Sequence, residues 1–214
     1  MSRPVDVKQS YDRVAANYAA QFHDELAQKP LDREMLDRLV EGVGGLGPIC
    51  DMGCGPGQIA RYLHQHGASA CGLDLSPEMV RQAQRLAPDI PFRQGDMCDL
   101  SAIANDAFGG IAAFYSIIHV PRAEVPRALS ELYRVLRPGG LLLLTFHIGQ
   151  ETRHLDEWWG EPVALDFHFF ETEEMTSHLR SASFAIDAVL KREPYPAVEV
   201  QTRRPYLFAR KRPG

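Results

Sequence analysis

No apolar run in the 214 residues is long enough to cross a bilayer: the longest, Gly139 to Phe146, has the length of a strand. The opening Met1-Ser2-Arg3-Pro4 leads into polar sequence instead of the apolar segment of a signal peptide. The expectation is therefore a cytoplasmic protein with no membrane partner. The four cysteines, Cys50, Cys54, Cys71 and Cys98, contain no CxxC pair, which favours reduced, buried thiols over disulfides or zinc, and no metal site is expected. A net charge of −5 argues against a broad nucleic-acid surface. Arg203-Arg204 and Arg210-Lys211-Arg212 are locally basic but lack interleaved aromatics, so they read as a solvated last strand and tail. Repeats, low-complexity tracts and long linkers are missing too. What is left is one globular domain with its own core, a monomer or homodimer.

Two stretches with helical spacing, Val5 to Ala20 and Leu31 to Val40, come first, and a glycine-rich segment ends the second. After them the pattern alternates: strand Ile49–Met52, helix Ile59–His66, strand Ser69–Leu73, helix Pro77–Leu86, strand Pro91–Gln94, strand Gly110–Tyr115, helix Val125–Leu136, strand Leu141–Phe146. Such alternation predicts βαβ units around a parallel sheet. Ser76-Pro77-Glu78 supplies an N-cap, a proline at the first helical position and a first-turn acid, while Arg137-Pro138-Gly139-Gly140 is read as a helix end. Beyond Phe146 lies a tract rich in His, Trp, Phe and Glu, then a helix near Thr172–Ala182. Two strand-like runs, Phe184–Leu190 and Pro205–Arg210, close the chain as a hairpin at the sheet edge.

The stretch DMGCGPG, Asp51 to Gly57, sets the chemistry. Its alternate glycines call for a tight bend and a close approach. A dinucleotide fingerprint would read G-x-G-x-x-G, but Gln58 stands at the third glycine's place. Asp51, at the end of the first strand, would repel a phosphate and favour an ammonium group. Asp74 follows Gly53 by 21 residues, near the spacing at which an acid meets ribose hydroxyls; Ser76 already serves as the helix cap. Asp96, at the end of the third strand, can accept from an exocyclic amine, and Met97 can pack on a purine face. Ammonium, ribose and aminopurine are parts of one molecule.

The segments ICDMGCGPG, CGLDLSPEMV, FRQGDMCDL, FYSIIHV and LYRVLRPGGLLLL resemble, in order, the motifs of class I S-adenosylmethionine-dependent methyltransferases, particularly the branch acting on small metabolites. YDRVAANYA resembles that branch's cofactor-covering helix. The resemblance implies an α/β fold: a three-layer αβα sandwich with a seven-stranded, mostly parallel sheet, an antiparallel C-terminal hairpin and an N-terminal helical lid. It divides a single methyltransferase domain, 1–214, into a lid (1–44), a cofactor-binding core (45–147), an acceptor cap and helix (148–183) and the hairpin (184–214). It further implies Asp51, Gly53, Cys54 and Gly55 beside the methionine, Asp74 on the ribose, and Leu75 and Met79 near the adenine. Asp96 and Met97 fall on its amino edge and face, and Phe114 and Tyr115 beside the amine and sulfonium. Tyr11 or Tyr18 reaches in from the lid, although their spacing equally suits plain packing. Pro56 departs from the pattern by stiffening the loop and removing an N–H.

The function so implied is transfer of the methyl group of S-adenosyl-L-methionine, by in-line displacement, to an O, N or C atom of a small-molecule acceptor, leaving S-adenosyl-L-homocysteine. Alignment and exclusion of water would supply most of the rate. His119, just past the fourth strand, is the candidate catalytic base, or else a histidine bonded to the loop backbone that shapes the pocket. Trp158, Trp159 and the run Asp166 to Phe170 suit an acceptor wall or a satellite core. Arg203-Arg204 either face an acidic acceptor or decorate the last strand, and the second reading is taken. The alternatives are a nucleic-acid or protein methyltransferase, a non-catalytic S-adenosylmethionine-binding protein and an NAD(P)-dependent oxidoreductase. Phe114-Tyr115-Ser116-Ile117 lacks the Asn/Asp-Pro-Pro-aromatic pattern of base-extruding enzymes, and Asp51 and Gln58 disfavour a dinucleotide.

Overall fold

The computed structural model describes residues 6–213. Val5, where the first helix was expected to start, and the Met1-Ser2-Arg3-Pro4 segment lie outside them. Helix α1 (Val7–Phe22) starts at Asp6, whose carboxylate accepts the Gln9 amide. A 3-10 turn (Glu25–Gln28) leads to α2 (Pro30–Val43), which stops at the left-handed Gly44. Then follow β1 (Ile49–Met52), α3 (Gln58–Gln65), β2 (Ala70–Asp74), α4 (Pro77–Leu86), β3 (Phe92–Gln94), β4 (Phe108–Phe114), α5 (Val125–Val135) and β5 (Leu136–Thr145). The chain ends with β6 (Thr152–Trp158), β7 (Glu161–His168), α6 (Thr172–Ser181), β8 (Phe184–Arg192) and β9 (Arg204–Lys211).

Seven strands form one sheet in the order β3-β2-β1-β4-β5-β9-β8, in which β9 runs opposite to the other six. Period-two alternation splits the buried strand residues between two helical layers. Ile49, Ala112, Leu141, Leu143 and Phe208 pack with Met35, Leu36 and Leu39 of α2 and Ile59 and Leu63 of α3. Cys50, Ile111, Ala113, Leu142 and Leu144 pack with Leu129 and Leu132 of α5 and Met175 and Leu179 of α6. The order turns back between β1 and β4, so the carboxyl ends of those strands open the crevice where α/β folds take their ligands.

Two boundaries depart from the sequence expectation. Arg137-Pro138-Gly139-Gly140, read as a helix end, is drawn into β5, which starts at Leu136 beside Phe108 and accommodates the extra residues as an irregularity opposite Phe108 and Gly110. Residues 148–183, expected as a cap and helix, contain in addition a separate two-stranded antiparallel ribbon, β6–β7. Its turn puts Trp159 (φ 52°) and Gly160 (φ 81°) in the left-handed region, as a two-residue hairpin loop requires.

That ribbon and α1 cover the crevice. Asp6 donates its amide to the Ala164 carbonyl at 3.0 Å, the Ala164 amide donates to Ser10 Oγ at 2.9 Å, and Arg13 reaches the Pro162 carbonyl at 2.9 Å. From the other side Asp12 Oδ1 accepts the Ser76 hydroxyl at 2.6 Å and the Glu78 amide at 3.3 Å, placing a carboxylate at the start of α4.

The C-terminal strands carry a buried ionic cluster instead of surface decoration. Arg192 donates to Asp32 Oδ1 at 2.9 Å, to the Tyr206 hydroxyl at 2.6 Å and to both oxygens of Glu199. Arg204, 3% exposed, pairs with Glu199 at 3.0 Å and donates to the Thr202 and Val200 carbonyls. The reading of Arg204 as an exposed strand residue is thereby corrected; Arg203 does face outward, paired with Glu193. Removing one partner of a buried pair strands the other. Arg192→Met should therefore lower the unfolding free energy by about 3–5 kcal/mol in urea titrations, and a loss below about 1 kcal/mol would contradict a stabilising cluster.

Candidate functional site

Asp51 is the penultimate residue of β1 and is 1% exposed. Its Oδ2 accepts the amide of Ala60, in the first turn of α3, at 3.0 Å. Burial pushes its carboxyl up to about 8, against the pull of that amide. Asp74 ends β2 with both oxygens engaged: Oδ2 accepts the Gly55 amide and Oδ1 the Ser76 amide, each at 2.8 Å. Burial raises it to about 6, helped by the charge of Asp12. The Asp74 carboxylate thus pins the glycine loop to the next strand, a task beyond the ribose contact expected of it. Ser76 is the side-chain cap of α4, accepting the Met79 amide at 3.1 Å.

The glycines are required partly by the protein's own packing. Gly53 (φ 76°) would carry a Cβ 2.3 Å from the Ser116 Cβ, and Gly57 (φ 86°) one 2.8 Å from the Phe92 ring. Gly55 faces open space up to the Tyr18 ring at 3.7 Å. The close approach anticipated at all three is thus an approach of protein at two of them.

Above the loop lies a cavity of about 530 Å³, within the usual ~300–1,000 Å³ range of small-molecule sites. Its walls bring together the residues expected at the cofactor and the candidate base: Tyr11, Tyr18, Asp51, Gly53, Cys54, Gly55, Asp74, Leu75, Met79, Asp96, Met97, Phe114, Tyr115 and His119; of the expected acceptor wall, Trp159, Asp166 and the run His168 to Phe170 are not among its lining residues. Asp96 lies in the turn beyond β3, not at the strand end, with Oδ1 taken by the Cys98 amide at 2.8 Å. Tyr115 follows β4 at φ 52°, a left-handed angle, and its ring lies 5.3 Å from that of His147. Trp158 and Phe167, from the ribbon, add to the wall.

Sequence reasoning missed Phe22, Glu25, Lys29, Ser116, His147 and Glu199, set aside a ligand-facing role for Arg204 and gave Gln58 none, and all of them also line the cavity. Most lie far along the chain from the glycine loop and carry no local motif. Four buried polar atoms among the lining residues have no protein partner: Gln58 Oε1, Ser116 Oγ and the Tyr115 hydroxyl, which can accept, and Arg204 Nε, a donor. Buried polar groups are normally paired, so such atoms on a cavity wall fit a ligand with both donors and acceptors to offer. No cluster of potential metal ligands occurs among the described residues.

His119 is engaged at both nitrogens. A carbonyl only accepts, so the 3.0 Å contact with the Asp166 carbonyl makes Nδ1 the protonated nitrogen, and Nε2 accepts the Tyr11 hydroxyl at 2.6 Å. Burial pushes the imidazole down to about 4 and the Tyr11 phenol well up. Tyr11 also meets Tyr18 and Trp158 edge-on, at ring separations of 5.8 and 6.1 Å. A neutral hydrogen-bonded pair thereby links α1, the turn after β4 and β7. Burial and Arg204 likewise hold His147 neutral, down to about 3, with Nδ1 against the Thr202 hydroxyl at 2.7 Å.

A family model described as a methyltransferase domain matches residues 49–140. The chain is 32% identical over 160 residues to a malonyl-[acyl-carrier protein] O-methyltransferase of Enterobacter lignolyticus, covering 73% of this chain and 60% of that one. It is 31% identical over 210 residues to the protein of the same name from Halorhodospira halophila, covering 92% of this chain and 67% of the relative. It spans about half to three-fifths of the length of most curated relatives it matches. Among solved structures, the 1,6-didemethyltoxoflavin-N1-methyltransferase of Burkholderia thailandensis, with bound 1,6-didemethyltoxoflavin and S-adenosylhomocysteine, superposes with a TM-score of 0.66 at 19% identity, over 99% of this chain and 93% of that one.

The His119 assignment is directly measurable. Nitrogen-15 NMR should show a neutral imidazole protonated at Nδ1 from pH 8 down to about 5; a transition near the ordinary value of about 6.5 would contradict it. In the unfolded chain the ring titrates near that ordinary value. Between the two values the unfolded state holds more protons, so this histidine removes stability as pH falls from about 6.5 to about 4.

Proposed function

The chain belongs to the class I S-adenosylmethionine-dependent methyltransferases, and on that premise we propose that it binds S-adenosyl-L-methionine in this cavity and transfers its methyl group to a small-molecule acceptor. The observation that carries the reading is the pair of carboxylates, Asp51 and Asp74, turned into one cavity at the ends of adjacent strands. With Asp96 they line the cofactor half with acceptors and negative charge, which suits a cationic nucleoside and opposes a pyrophosphate. Asp51, with the unpartnered Gln58 Oε1 close by, receives the ammonium. Asp74 keeps lone pairs for the ribose hydroxyls while holding Gly55. Leu75, Met79 and Met97 pack on the adenine, and Asp96 takes its amino group.

When bound, the cofactor supplies a methyl group made electrophilic by the positive sulfur. The chain's residues align it and keep water out. Tyr11, Tyr18, Phe22, Trp158 and Phe167 form an aromatic chamber on the lid side, and ring faces suit a sulfonium as well as an apolar acceptor. His119 fixes the Tyr11 hydroxyl by accepting its hydrogen bond, leaving the phenol oxygen free to accept from a ligand. The relatives' names point to transfer to oxygen, on a small or carrier-linked acid; O, N and C acceptors all remain within the proposal. Four cysteines, none in a disulfide, suit a reducing compartment such as the cytoplasm.

Calorimetric titration with S-adenosylhomocysteine tests the reading: the protein should bind it, and Asp74→Ala should weaken binding at least about tenfold, a charge-assisted contact being worth about 1.5–3 kcal/mol. Unchanged affinity would remove Asp74 from the site. Because Asp51 is protonated below about 8 in the free protein and the ammonium requires it ionised, affinity for S-adenosylmethionine should rise from pH 6 to pH 8, with proton release seen in buffers of different ionisation heat. A flat profile would contradict the Asp51 assignment.

A further inference from the structure

Three residues without a local motif form a bridge that starts at the glycine loop. Gln58, 8% exposed and the first residue of α3, donates from Nε2 to Glu25 Oε1 at 3.0 Å. Glu25 Oε2 accepts Lys29 Nζ at 2.6 Å. Lys29, 6% exposed, stands between the 3-10 turn and α2 and lines the cavity with the other two. An ammonium carries three donors, and Glu25 takes one. The other carboxylate nearby, Glu199 Oε2, lies 3.9 Å away, beyond hydrogen-bond distance, and is already held by Arg192 and Arg204. Lys29 therefore faces the cavity with donors to spare, one carboxylate bridge away from an amide oxygen, Gln58 Oε1, that has no partner.

A buried donor and a buried acceptor so placed match a group with a carboxylate and an ammonium on one carbon. Charges agree as well. Lys29, Arg192 and Arg204 balance Glu25, Glu199 and Asp32, which leaves the lining acids Asp51, Asp74 and Asp96 without an ion-pair partner among the described residues. A ligand with sulfonium, ammonium and carboxylate brings one net positive charge to this acidic wall.

We propose that Lys29 and Gln58, held in register by Glu25, bind the α-amino-acid end of the cofactor, Lys29 taking the carboxylate and Gln58 Oε1 the ammonium beside Asp51. This rests on the methyltransferase reading and names the subsite that selects the methionine end. In the absence of that carboxylate, Lys29 keeps only its bond to Glu25. Recognition of the adenosine end is independent of it.

The test needs no methyl acceptor. Affinities are measured by calorimetry for S-adenosylmethionine, its decarboxylated form, which keeps sulfonium and ammonium, and 5′-methylthioadenosine, which lacks the amino-acid end. Lys29→Gln should weaken the first about tenfold or more while changing the other two by less than about twofold, and Lys29→Arg should recover most of the loss. Gln58→Met should weaken both sulfonium ligands and spare 5′-methylthioadenosine, whose binding also reports an intact fold. Equal losses for all three ligands in Lys29→Gln, or no loss for the first, would overturn the assignment. A wild-type protein that binds none of them would overturn the methyltransferase reading together with it.

Discussion

The site depends on one carboxylate accepting two backbone amides. Asp74, at the end of β2, receives the Gly55 amide with one oxygen and the Ser76 amide with the other. That joins the loop after β1 to the turn before α4 and fixes both relative to the sheet. Ser76 then caps α4 and donates its hydroxyl to Asp12, so α1 is oriented by the same chain of bonds. Loosening Asp74 would release the glycine loop, the start of α4 and the covering helix together. A charge kept in a crevice that burial makes unfavourable is a cost that binding a cation can recover.

Electrostatic asymmetry divides the cavity. Acceptors and carboxylates crowd the end near β1, β2 and β3. Aromatic rings and neutral histidines fill the side built by α1, the turn after β4 and the ribbon. With His119 engaged at both nitrogens, this half orients its contents more readily than it removes a proton. In-line methyl transfer asks mostly for orientation and dryness, and the ribbon and helix provide both without supplying a reactive group.

Much of this was legible in the sequence because it is local. The alternation of strands and helices, the Ser76-Pro77-Glu78 cap and the acids in the last residues of β1 and β2 all lie within a few residues of the feature they explain. The parts that were not legible depend on distant pairing. Tyr11 meets His119 across 108 positions and Arg192 meets Asp32 across 160, and no periodicity announces either. The β6–β7 ribbon escaped notice because β6 is largely exposed, so it lacks a hydrophobic alternation, and because a tryptophan occupies a left-handed turn position that favours asparagine or glycine. Lys29 belongs to no motif in the sequence; its cavity position involves Glu199, from the far end of the chain.

On the proposed function, the acidic glycine loop selects a cationic, methionine-bearing nucleoside over a dinucleotide. Native mass spectrometry of the protein as purified should find a bound mass of S-adenosylmethionine or S-adenosylhomocysteine, retained under gentle desolvation and displaced by added S-adenosylhomocysteine. Retention of NADH or NADPH, with neither methionine-derived nucleoside bound even after addition, would contradict it.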